Sequence, residues 1–241
     1  MKKILSLAAF SILIGTGFGF TVLKKEKRIL VYAKTRGYHH ASIAVGLVAI
    51  QQLGASNHFA VDTTTDSTYF TPKTLKKYDA VVFLSTTGNV LNDEQQAAFE
   101  NYIRAGHGFV GIHAATDTEY DWPWYNKLVG AYFKSHPKQQ EAVLHVIDKH
   151  HPSTEHLPDT WKRWDEWYNF RNIQDDLHVL ITIDEKSYQG GINGDFHPMA
   201  WYHSFDGGRA FYTELGHTDE SYKDPLYLQH LLGGIEYAMN R

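Results

Sequence analysis

The chain of 241 residues contains no cysteine. That excludes disulfides, thiolate metal sites and cysteine nucleophiles together. It also lacks an excess of positive charge: 23 Lys and Arg stand against 27 Asp and Glu, a formal net charge of -4. Nucleic acid favours a basic face, so none is expected as a partner. There is no P-loop, internal repeat or low-complexity tract. The stretch Gly106-His107-Gly108-Phe109-Val110-Gly111 fits G-x-G-x-x-G. A dinucleotide fingerprint must follow a strand and open a helix, whereas here a helix end precedes a strand, so no nicotinamide or flavin is expected there.

Histidine and tryptophan stand out instead, at 15 and 6 residues. Histidine serves acid–base chemistry and metal ligation, and flat aromatic faces cover the C–H surfaces of a sugar. The chain opens with Lys2-Lys3 and an uncharged apolar run from Ile4 to Leu23. Such a start reads as an export signal, with a retained membrane anchor as the rival. Residues 1–23 are therefore set apart, and residues 24–241 are expected to form one domain in the periplasm or outside the cell. A membrane would be met only through an uncleaved N-terminal segment.

Apolar runs predict strands at Arg28–Ala33, His58–Val61, Ala80–Leu84 and Gly108–Ile112. Helices are predicted between them, the first from Ala41 to Leu53 with Gly54 as its stop, another capped by Asn92 with Gln95 three residues on. This alternation predicts an α/β fold with a doubly wound, mostly parallel sheet. Three polar strand ends, after Ala33, Leu84 and Ile112, then share one edge, where such sheets bind ligands. Residues 134–205 read as a β-rich insertion, with strands expected at Glu141–Asp148, His178–Asp184 and Met199–His203. A strand at Arg209–Glu214 and a helix opened by Asp224-Pro225 close the chain.

The most informative stretch is Phe109-Val110-Gly111-Ile112-His113-Ala114-Ala115-Thr116-Asp117, a buried strand running into a tight turn that lifts His113 and Asp117 to the sheet edge. Asp117 could orient His113 or cap a helix. One of His39 and His40 is expected to face the cleft, and Ser42 fits a helix cap. His217 follows the strand that ends in Glu214. Trp122-Pro123-Trp124-Tyr125 fits a packed lid or a ligand platform. Asp165-Glu166-Trp167-Tyr168 sets acids among aromatics, and strand alternation lets only one acid point inward. An acid desolvated there would have a raised pKa. His150, His151 and His156 are expected in a surface loop.

With these motifs in order, together with His136-Pro137, His197-Pro198 with Trp201, and Gly208-Arg209 with Leu215-Gly216-His217, the chain resembles the ThuA-like (trehalose utilisation) family from about Arg28 onward. The resemblance implies a flavodoxin-like fold similar to class I glutamine amidotransferases. Their nucleophilic cysteine would fall at the turn that here carries His113, so glutaminase chemistry by that route is excluded. The family name points to sugar metabolism. The expected function is an exported enzyme acting on an oxidised (keto) sugar or glycoside: an isomerase, lyase or hydrolase. A non-catalytic carbohydrate-binding protein and a metal-dependent hydrolase are the alternatives. His113, Asp117, His217 and Glu166 are the catalytic candidates, with His113 as base or metal ligand. His40, Tyr168, His197 and Trp201 are the substrate-binding candidates, with Tyr168 and Trp201 stacking on the ring. A divalent metal, zinc first, would be drawn from His40, His113, His197 and His217. Aromatics near Trp164 offer a contact for a homo-oligomer.

Overall fold

The near-continuous apolar strands of the first half can be satisfied only with both faces covered, as a parallel sheet provides. A computed structural model describes residues 26–241, and the expected export segment lies outside the described residues. The first half runs β1 (Lys27–Tyr32), α1 (Ile43–Ser56), β2 (Phe59–Thr64), α2 (Pro72–Leu75), β3 (Ala80–Leu84), α3 (Asp93–Arg104) and β4 (Gly108–Ile112). A 3-10 turn (His113–Asp117) and α4 (Pro123–Val129) follow. Then come β5 (Tyr132–Ser135), β6 (Gln140–Val146), β7 (Thr160–Asp165), β8 (Asn169–Arg171), β9 (His178–Ile183), β10 (His197–Phe205), β11 (Gly208–Thr213) and α5 (Pro225–Ala238).

Nine strands form one sheet in the order β2-β1-β3-β4-β11-β10-β9-β6-β7. The first five are mutually parallel. Their order is the flavodoxin-like 2-1-3-4-5, with β11 as the fifth strand. The last four join antiparallel and come from the expected insertion. β5 and β8 form a separate ribbon. Every residue of β3 and β4 is buried. Each large apolar side chain so buried contributes roughly 1.5–3 kcal/mol.

Local signals set most boundaries. Asn92 and Gln95 form the reciprocal capping box that opens α3. Asp224 caps α5 by accepting from the Leu226 N–H, with Pro225 in the first helical position. Gly54 does not stop α1, which runs on to Ser56. A Cβ on Gly54 would come within 2.7 Å of the Phe59 carbonyl oxygen, so this glycine serves close helix–strand packing instead. Ser42 makes no capping hydrogen bond. Trp122 and Trp124 stack on each other and donate to Glu100 and Asp206 respectively, so they fasten α4 to its surroundings.

The loop after β6 is not wholly at the surface. His150 is exposed, but His151 is buried against Tyr202 and Phe211. His230 of α5 bonds the Ser153 carbonyl at 2.8 Å and Thr213 Oγ1 at 3.0 Å, which pins that loop to the sheet. Burial lowers the pKa of His151 to about 4 and of His230 to about 3. The unfolded chain takes up these protons below the ordinary histidine value and the folded chain does not, so stability is complete above that value and falls as pH drops. By pH 5 each residue should cost about 2 kcal/mol relative to pH 8. Thermal melts across that range should therefore show a marked loss on acidification, and His230→Gln should flatten the dependence. Parallel curves for the two proteins would refute this assignment.

Candidate metal centre

Four segments deliver side chains to the carboxyl edge of the parallel strands. His40 stands on the loop after β1, His113 directly after β4 and His217 after β11. Glu166 follows β7 from the insertion. These four each offer one ligand atom, all within 4.8 Å of one another.

His113 sits at φ 50°, in the left-handed region, so the chain turns sharply as it leaves β4. Its Nδ1–H donates to the Glu214 carbonyl at 2.8 Å. Its Nε2 lies 3.0 Å from His217 Nδ1 and 3.6 Å from Glu166 Oε2. His217 Nδ1 also lies 3.0 Å from Glu166 Oε2. The ring of His40 meets those of His113 and His217 edge-on, at 4.8 and 5.1 Å between centroids. Its Nδ1 is buried without a partner.

The charges follow from this geometry. Burial pushes the Glu166 carboxyl up, but hydrogen bonds and charge from His113 and His217 outweigh it and hold the group well below the usual carboxylate range. Desolvation by the rings, expected to raise this acid, is overruled by the imidazoles. Burial, reinforced by His113 and His217, lowers His40 to about 2. Glu214 is fully buried, and burial together with the nearby Asp165 pushes its carboxyl well up.

Three imidazoles and one carboxylate, with no thiolate, fit a divalent first-row cation such as zinc. The unpartnered His40 nitrogen is the kind of orphaned buried group that a cation would satisfy. An outer partner is also in place, the Glu214 carbonyl on His113, and His136, whose Nδ1 bonds the Pro137 carbonyl at 2.8 Å, stands 3.1 Å from Glu166 Oε1.

A pocket of about 320 Å³ opens above the cluster. Its walls include Tyr38, Phe133, His136, Gln139 and Tyr168, with Asp117 on one side and His40, Glu166 and His217 at the polar end. His113 is fully buried and does not line the pocket, so it is not placed to meet a substrate as a base, and a ligand role is the one its position leaves open.

The structure corrects several sequence expectations. Asp117 does not orient His113, because the Glu214 carbonyl does, and Asp117 instead accepts from the Tyr120 hydroxyl at 2.6 Å. His197 is not a metal candidate: its nitrogens bond the Tyr168 carbonyl and Glu185, both at 2.8 Å, and it supports the pocket wall from behind. Trp201 is core, fully buried, stacked on Tyr212 and donating to the Val129 carbonyl, so it cannot stack on a substrate. Both Asp165 and Glu166 are buried, because β7 ends at Asp165 and strict alternation ends with it. His40, and not His39, is the cleft histidine, since His39 is exposed beside Thr35. Tyr168 does line the pocket, its ring 4.4 Å from that of His113. His136, noted in the sequence only within the His136-Pro137 motif, joins the wall, and Phe133 and Gln139, which flank that motif, join it without a signal of their own.

Known proteins share this architecture. No curated protein matches the chain. A ThuA-like protein from Bacteroides uniformis is 28% identical, with 88% of this chain and 91% of that one covered and a TM-score of 0.75. A ThuA-like protein from Parabacteroides merdae is 23% identical, with 90% and 91% covered and a TM-score of 0.73. A Thermoplasma acidophilum protein described as belonging to GMP synthase shares the fold at 12% identity, with 90% and 96% covered and a TM-score of 0.55. The family model described as ThuA, trehalose utilisation, matches residues 28–238, and the chain belongs to that family.

Proposed function

We propose that the protein is an exported, metal-dependent enzyme of carbohydrate metabolism that acts on a sugar bearing a carbonyl group. The observation that carries this reading is the convergence of His40, His113, His217 and Glu166 from four separate segments, with His40, His217 and Glu166 lining one pocket. A bound divalent ion would supply Lewis-acid polarisation of a substrate oxygen.

The remaining residues suit a sugar ring. Tyr38, Phe133 and Tyr168 offer aromatic surface for its C–H faces. His136 and Gln139 reach the same space with polar atoms for hydroxyl groups. Asp117 is the carboxylate that lines the pocket without belonging to the four-donor cluster. Burial pushes its pKa up, and Tyr120 fixes one of its oxygens. Asp117 can therefore take a proton from substrate and return it. A keto group acidifies the neighbouring C–H, so one base beside one electrophile is enough for isomerisation, elimination or hydration.

Purified protein should carry on the order of one divalent ion per chain by elemental analysis, and Glu166→Gln or His217→Ala should strip it. A metal-free wild type that retains activity would remove the centre from the mechanism. Incubation with ordinary and 3-keto disaccharides, followed by mass spectrometry and NMR, should reveal conversion of a keto sugar. Asp117→Asn should lower that turnover by about 100-fold or more with metal content unchanged. Saturable binding of a sugar without conversion would replace the enzyme with a carbohydrate-binding protein.

A further inference from the structure

We propose that Asp165 is a positioning residue of the metal centre, its buried carboxylate bridging the backbones of Glu166 and Gly216 so that two ligands from separate segments, Glu166 and His217, keep a fixed separation. The proposal rests on the metal reading above. Asp165 is fully buried and absent from both the pocket wall and the four-donor cluster. Its Oδ1 accepts the Glu166 N–H at 3.0 Å. Its Oδ2 accepts the Gly216 N–H at 3.2 Å and the Ser221 hydroxyl at 3.0 Å, with Arg163 Nη2 at 3.5 Å. Arg163 is itself anchored on Asp224 at 2.7 Å and on Ser221 at 2.9 Å.

Gly216 can be held only by its peptide groups. Its φ is 112°, and a Cβ there would meet the Tyr227 hydroxyl at 2.4 Å. The N–H goes to Asp165, and the carbonyl accepts from Ser42 Oγ at 3.1 Å. Ser42 lies two residues beyond His40, so the strut continues from Glu166 through the His217 loop to the His40 loop. A buried carboxylate is expensive to keep unless its acceptor sites are used. Here both oxygens are used, and two of the donors are backbone groups of ligand-bearing segments. An amide at this position has one acceptor, so its NH₂ would face either the Glu166 N–H or the Gly216 N–H and break one arm of the strut.

The test uses the full chain, with Zn(II) affinity from competition titration and the visible spectrum of the Co(II) form. Asp165→Asn should weaken Zn(II) binding by about 10- to 100-fold and alter the Co(II) spectrum. Asp224→Asn keeps one acceptor oxygen for the α5 cap but loses the carboxylate that anchors Arg163, and it touches neither ligand backbone. It should lower the melting temperature while leaving Zn(II) affinity within about threefold, a margin well below the loss typical of an outer-shell partner. If Asp165→Asn does not fold, Asp165→Glu keeps the charge beside Arg163 and lengthens the arm by one methylene, and it should show the same weakening. Wild-type affinity in a folded Asp165 variant would overturn the strut alone, as would equal weakening in Asp224→Asn. A wild type that binds neither ion would overturn the metal reading and the strut with it.

Discussion

Everything at the site depends on the bond from His113 Nδ1–H to the Glu214 carbonyl. It exists because β4 and β11 are adjacent, parallel and in register, with Ile112 opposite Thr213. The next residue of each strand is then His113 and Glu214, and the two meet as the strands end. The bond fixes the orientation of the ring and aims Nε2 towards His217 and Glu166. A slip of one residue between these strands would turn the imidazole to the other face of the sheet. Strand pairing, set by a core of fully buried residues, is thus what aims the His113 ring into the cluster.

The electrostatics are arranged around few charges. Burial and the nearby Asp165 push the Glu214 carboxyl well up, which works against a second anion beside Glu166. Asp165 shares its charge among Arg163, Ser221 and two backbone amides. His40 is held neutral by burial and by the neighbouring rings. Neutral imidazole and ionised carboxylate are the forms that coordinate a cation, so His40 and Glu166 stand in the forms that binding uses. Preorganisation of this kind is established by folding, and binding need not supply it.

The parallel half of the fold is legible along the chain because its signals are local. Apolar runs of five residues, a capping box and an Asp-Pro helix start each specify an element without reference to distant chain. His113 and His217 follow from the same logic, since residues just past parallel strands must gather at one edge. What sequence reasoning gets wrong is in every case a matter of tertiary partnership. His197 and Trp201 have the composition of ligand-binding residues, but Glu185, the Val129 carbonyl and Tyr212 claim their polar atoms and ring faces. Gly54 looks like a stop because the nearness of Phe59 cannot be seen along the chain. Asp165 and Glu166 look like alternatives only if alternation runs one residue past the end of β7.

The site divides along the boundary between the two halves of the sheet. The loops after β1, β4 and β11 supply three imidazoles, as the open edge of a flavodoxin-like sheet can supply residues to any chemistry. What they lack is a carboxylate among the ligands and a roof. The insertion provides both: Glu166 enters the cluster, and His136, Gln139 and Tyr168, with Phe133 just ahead of the insertion, line the pocket beside it. Glutamine amidotransferase chemistry needs a nucleophile at the turn after β4. Here that turn holds a buried imidazole that cannot touch substrate and can only point at its neighbours. In the proposed centre the position after β4 therefore serves to orient a donor, and contact with a substrate falls to the residues that line the pocket.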